Sequence, residues 1–257
     1  MTDRSVPRWN PSHHDGLLPD VLRFVLVDQT VLQFTGDDRA TVLHNLCTNN
    51  VKALASGQGC EAFVTNVQGR TVGHIVVYAR DNDLLVTTVP GQAPSLTRHF
   101  DRYIVTEDAR IVDLTSESQV TLLVGPGAPE IVGHLGLAPL NHPHDHVFLG
   151  DGRRGLCARG PLDTEPWYCL VTVGRETQVQ LDTILGDLGV APGPPEIFES
   201  IRIEAGWPKY GVDFTDQNLP QELARDGQAI SFTKGCYLGQ ETVARLDALG
   251  HVNRLCR

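Results

Sequence analysis

Apolar and polar positions alternate in two short runs within "RFVLVDQTVLQFTG" (Arg23–Gly36), so the segment reads as two strands about a turn at Asp28-Gln29. "DDRATVLHNLCTNN" changes the period: Val42, Leu43 and Leu46 fall at helical spacing, with Asp37 placed as an N-cap. Strand-like runs follow in "CEAFVTNV", "TVGHIVVYA" and "DLLVTTV", the first two separated by the turn signal "QGR". A helix over "QAPSLTRHFDRY" and a strand over "IVTEDARIVDL" complete this region. Strands with an intervening helix across Cys60–Leu114 point to a compact α+β unit.

Further along, "QVTLLVGPGAPEIVGHLG" reads as strand, tight turn and helix. Its Gly-Pro-Gly has neither the Lys-Ser/Thr ending nor the GxGxxG spacing of a phosphate loop, so it is taken as a plain turn. In "NHPHDHVF", His142, His144 and His146 alternate beside Asp145. Alternate residues of an extended chain face one way and can hold a metal. The Pro-containing loop favours solvated side chains instead, and no metal site is assigned. Two strands, "GLCAR" and "WYCLVTV", precede a helix at "RETQVQLDTILGDLG", and the Pro/Gly-rich "GVAPGPPE" marks a boundary before the last third.

Composition narrows the function classes. The 257 residues carry a net charge of −10, which disfavours partners such as nucleic acid or an anionic membrane. No apolar run is long enough for a bilayer span, and the polar start "MTDRSVPRWNPSHHDG" lacks the apolar core of a secretory signal, so a cytoplasmic location is expected. The six cysteines are scattered without a CxxC pair, which argues against a closed zinc site and fits a reducing compartment.

The last third holds the candidate chemistry. In "PPEIFESIRIEAGWPKYG", Pro195 and Glu196 suit a helix start, and Gly206 and Pro208 end it. Ile197, Ile201 and Glu204 share a stripe, so Glu204 places a carboxylate on an apolar face, in a last turn where the macrodipole disfavours it. Either Glu204 is a binding residue or it pairs with Arg202 or Lys209 at the rim. A buried carboxylate can accept the exocyclic amino group and adjacent ring N–H of a pterin in a bidentate pair. Tyr210 offers a stacking face or a hydroxyl. "AISFTKGCYLGQETVARLDALGHVNR" then runs from strand-like residues through a glycine loop into a helix ended by Gly250.

"RIEAGWPKYGVDF", then "LPQE", then "KGCYLGQE…AR…GHVNR", in that order, resembles the YgfZ-type folate-binding proteins, relatives of the glycine-cleavage aminomethyltransferase acting in iron–sulfur cluster assembly or repair. "FTGDDRATVLHNLCTNNV" and "DRYIVTEDARIVD" extend the resemblance over residues 25–257. It implies an α+β fold with ferredoxin-like subdomains about a central folate channel. Residues 1–52 and 115–245 would form a discontinuous folate-binding domain and 53–114 an inserted subdomain. Residues 246–257 would begin a C-terminal β-barrel that is absent or truncated here. It implies tetrahydrofolate or a derivative as cofactor, bound by Glu204, Tyr210, Lys234, Gly235, Cys236, Tyr237, Gly239, Gln240 and Glu241, with client proteins as partners of a monomer.

One departure matters. The aminomethyltransferases carry an Asp-Asp pair in the segment matching "QGRTVGHIVVY", with a carboxylate near the reacting nitrogen of folate; here those places hold Gly73 and His74. Aminomethyl transfer would lose its electrostatic and proton-handling group. A folate-binding accessory role without turnover is therefore the leading expectation. A one-carbon transferase using His74 and a ligand-free interaction scaffold are the alternatives. No catalytic residue is assigned. Cys236 stands as a candidate reactive thiol, favoured as thiolate by Lys234 and a helix N-terminus, against an equal case for a small side chain packed in the loop.

Overall fold

Asp28 takes a left-handed conformation (φ 54°) two residues after the first strand and sends the chain from one sheet to another. The computed structural model describes residues 20–150, 152–161, 166–250, 252 and 255–256. The polar lead-in and His251, Asn253 and Arg254 of "GHVNR" lie outside these. In chain order the elements are β1 (Leu22–Leu26), β2 (Thr30–Thr35), α1 (Arg39–Leu46), β3 (Gly59–Thr65), β4 (Thr71–Ala79) and β5 (Leu84–Thr88). Next come α2 (Ala93–Asp101), β6 (Arg110–Asp113), β7 (Ser118–Val124), α3 (Ala128–His134), β8 (His146–Phe148) and β9 (Gly155–Arg159). The chain continues with β10 (Trp167–Val173), α4 (Arg175–Asp187), β11 (Ala191–Pro192), α5 (Pro195–Glu204), α6 (Asp226–Ala229) and α7 (Gln240–Leu249).

One sheet has the order β11-β1-β7-β10-β9-β8 and the other β3-β4-β5-β2-β6. The pleat decides what each face meets. On the first sheet Leu123, Tyr168 and Leu170 face α3 and α4, while Phe24, Leu122 and Trp167 face inward. On the second, Ala62, Val64, Ile75 and Val77 face α1 and α2, whereas Val76, Tyr78 and Leu85 face the first sheet. The two inner faces share one apolar cluster, so the layers run helices, sheet, sheet, helices, with α5 laid along the seam. This mixed architecture agrees with the α+β expectation.

Several expectations shift. The second sheet spans residues 30–113, because β2 is held centrally between β5 and β6. The strand expected over 104–114 shortens to β6, the only part paired with β2. Asp38, not Asp37, sits at the N-cap of α1, and its carboxylate accepts the Asp108 N–H (2.9 Å) instead of capping the helix. "AISF" forms no strand; Ile230 follows directly on α6, whose first residue Asp226 accepts the Ile230 N–H.

Candidate functional site

A cavity of about 350 Å³ opens between the two inner sheet faces and α5. Its walls are aromatic and apolar: Tyr78 from β4, Trp167 from β10, Phe198 from α5, and Trp207 just beyond α5. Polar groups enter at few points, among them His144, Arg159, Glu199 and Lys209. A concave apolar slot with sparse polar groups suits a flat heteroaromatic ligand, and its volume falls in the range of roughly 300–1,000 Å³ usual for small-molecule sites.

The carboxylate at this cavity is Glu199. Burial opposes its ionisation, but Arg202 (Oε2, 2.9 Å) and Lys209 (Oε1, 3.3 Å) outweigh that and hold its carboxyl below the usual range. Arg202 is itself buried; it also donates to Trp207 O (2.8 Å) and to Asp213 (2.5 Å), whose same oxygen accepts the Lys209 N–H (2.7 Å). These bonds staple the end of α5 to the loop after it and fix Trp207 at the wall.

Behind Trp207 lies a buried charged cluster. Glu61, on the inner face of β3, accepts from Arg225 Nε (2.7 Å) and NH2 (2.5 Å) and meets His74 Nε2 at 2.8 Å. Burial pushes its carboxyl up, yet the bonds to Arg225 and His74 prevail and bring it down to about 2. The Arg225 guanidinium lies 5.1 Å from the Trp207 ring centroid, and the His74 ring packs at a tilt against the same indole at 4.8 Å. His74 Nδ1 meets Pro208 O at 3.1 Å. Both imidazole nitrogens therefore face oxygen acceptors, and His74 is not among the residues lining the cavity. These contacts hold the ring against Glu61 and Pro208 behind the cavity wall.

The histidines at alternate positions do not converge. His144 (φ 65°) lines the cavity, where burial holds it down to about 4 against the opposing pull of Glu61. His146 is buried in β8 against Tyr78 (5.4 Å), and His142 is exposed. The expectation of a solvated loop fails for two of the three because the main chain here is bonded into the fold: His144 N donates to Arg159 O and His146 N to Gly57 O.

The nine residues expected to bind folate are not gathered around one cavity. Glu204, the last residue of α5, is exposed and is not among the cavity's lining residues; the stripe of Ile197 and Ile201 runs out there as the chain turns away at Gly206 (φ 59°). Arg202 and Lys209, the partners considered for it, go to Glu199. Tyr210 packs edge-on against Phe214 (5.3 Å) and lines a separate cleft beside α2.

The glycine-cysteine loop packs against α1 instead. The buried Lys234 ammonium donates to the backbone oxygens of His44, Cys47 (2.7 Å) and Asn49 (2.9 Å), neutralising the carbonyl end of α1. It also lies 4.7 Å from the ring centroid of Tyr237, which is buried below the loop. The amine is thus committed to carbonyls, and Cys236 is exposed over a groove with α1. Gly239 (φ 78°) presses on the β3–β4 turn, where an added Cβ would stand 2.3 Å from Asn66 O. Gln240 and Glu241 open α7. The signature thus reads physically as a clasp joining the C-terminal segment to α1 and β3.

Sequence reasoning missed Glu61, Arg225, Trp207 and Glu199. Glu61 was visible in principle, since a carboxylate alternating with Phe63 in "CEAFV" must be buried with a partner. Nothing in "LARDG" marks Arg225 as that partner.

Residues 25–143 match the GCVT N-terminal domain. The chain is 32% identical over 236 residues to a chloroplastic candidate transferase of Arabidopsis thaliana, covering 88% of this chain and 53% of that protein. It is 29% identical over 215 residues to the aminomethyltransferase of Rubrobacter xylanophilus, covering 82% and 56%. The glycine cleavage system aminomethyltransferase T of Bartonella henselae superposes with a TM-score of 0.77 at 16% identity, over 90% of this chain and 63% of that one. The chain thus spans little more than half the length of these curated relatives. No described helix is long and apolar enough to cross a membrane. Residues 25–143 thus carry a GCVT N-terminal domain match, and the chain shares the fold of an aminomethyltransferase T.

Proposed function

We propose that the protein binds tetrahydrofolate or a derivative, with the pterin ring in the cavity between the two sheets. The observation that carries this reading is an aromatic slot, walled by Trp207 and Trp167, with an ionised carboxylate, Glu199, at its side. That carboxylate can accept the paired N–H donors of a pterin. Relatives named aminomethyltransferases support a folate-related ligand. On this reading Glu204 contributes little to affinity, and the 234–241 loop supports the site through α1 and the β3–β4 turn. Calorimetric titration with tetrahydrofolate tests it; absence of binding by the intact chain would sink it.

The finer role proposed is that of a cytoplasmic, monomeric accessory to iron–sulfur cluster assembly or repair, acting on client proteins. Its support is the signature resemblance together with the engagement of His74 by Glu61 and Pro208, which leaves no acid–base group in the place of the Asp pair. A second reading, folate-dependent one-carbon transfer, is favoured by the names of the relatives. Turnover of a methylamine donor with tetrahydrofolate, lost in His74→Ala, would select that reading.

A further inference from the structure

Val89 and Pro90, just after β5, line the central cavity on one side and a second, open cleft of about 470 Å³ on the other. The chemistry changes across this ridge. The cavity is walled by indole, phenyl and aliphatic groups, whereas the cleft presents Gln92, Arg98, Arg102 and Tyr210. Arg98 and Arg102 stand one turn apart at the carbonyl end of α2, both exposed. Among the described residues neither guanidinium forms an ion pair. Among the described residues Asp216 is the one carboxylate lining the cleft, so the local balance there is positive in a chain whose net charge is −10.

We propose that this cleft receives the anionic poly-γ-glutamyl tail of a folate whose ring occupies the cavity. The inference rests on the folate reading above. A ligand entering the slot ring-first must carry its tail outward, and the ridge at Val89–Pro90 is shared by the slot and a cationic cleft. Guanidinium forks at two successive turns match a run of carboxylates better than a single charge would. Tyr210, which lines the cleft and not the cavity, is placed to contact this tail.

The test compares monoglutamyl with tri-γ-glutamyl tetrahydrofolate by calorimetry, on the wild type and on an Arg98→Gln/Arg102→Gln double variant. Both side chains are exposed, so the variant keeps the core intact. Two exposed pairs correspond to a preference of about five- to tenfold for the triglutamyl form. That preference should shrink with added salt and vanish in the variant, whose monoglutamyl affinity stays at the wild-type value. Equal affinity of the wild type for both forms, or a preference that survives in the variant, overturns the tail site while leaving the folate reading standing. Failure of the wild type to bind either form overturns both.

Discussion

Glu61→Gln is the most informative perturbation of the scaffold that holds the cavity. The wild-type carboxyl is brought from 4.5 to about 2 inside the fold. Each unit is worth about 1.4 kcal/mol, so its ionisation contributes roughly 3 kcal/mol at neutral pH. Removing one partner of a buried ion pair costs about 3–5 kcal/mol, because the other charge stays buried and unpaired. The sign follows from the depressed folded value: the contribution is complete above pH 4.5 and is lost as pH falls toward 2. Denaturant unfolding of wild type and variant at pH 7 should therefore differ by roughly 3 kcal/mol or more, and at pH 3 by roughly 2 kcal/mol less. Replacing Arg225 by Met alongside Glu61→Gln should recover part of the loss by removing the orphaned guanidinium. A gap below about 1 kcal/mol at pH 7, or one unchanged at pH 3, would refute the claim that this pair organises the wall behind Trp207.

Three other outcomes follow from the same geometry. Gly239→Ala should lose about 2 kcal/mol or more, from a left-handed φ of 78° and a Cβ 2.3 Å from Asn66 O, whereas Gly235→Ala, with its nearest neighbour at 4.0 Å, should unfold at the wild-type denaturant midpoint. Lys234→Met should cost about 2–3 kcal/mol by uncapping α1, while Cys236→Ser leaves stability and folate affinity unchanged; a large effect of Cys236→Ser would restore the thiol as a functional group. Burial holds His144 near 4, below its ordinary 6.5, so the unfolded chain takes up a proton that the fold refuses and stability declines as pH drops from 6.5 to 4. His144→Gln should flatten the stability curve in that window, read from thermal melts across pH.

Elements with a clear period were legible in the sequence. The strand-like runs "TVGHIVVYA" and "WYCLVTV" and the stripe of Ile197 and Ile201 each correspond to the element formed. Partners distant in sequence were not. Nothing local says that β2 belongs between β5 and β6, or that Arg225 reaches back to Glu61 across 164 positions. Glu204 shows the limit of stripe arguments: periodicity assigns a face, but the helix ends at that residue and the packed surface ends with it. The acid meeting the cavity is on the same helix at Glu199, where two basic side chains hold it ionised. "KGCYLGQE" was recognisable as a motif, yet its physical role depends on the carbonyls of α1 and the turn at Asn66, neither adjacent in sequence.

The central claim is that the ring of the ligand sits against Trp207 in the cavity between the sheets. Calorimetric titration of tetrahydrofolate into wild type, Trp207→Leu and Glu204→Ala tests it most directly. Loss of an aromatic stacking face is worth about tenfold in affinity. The account predicts that loss for Trp207→Leu and wild-type affinity for Glu204→Ala. Binding abolished by Glu204→Ala and unchanged by Trp207→Leu would contradict it, moving the site to the exposed end of α5.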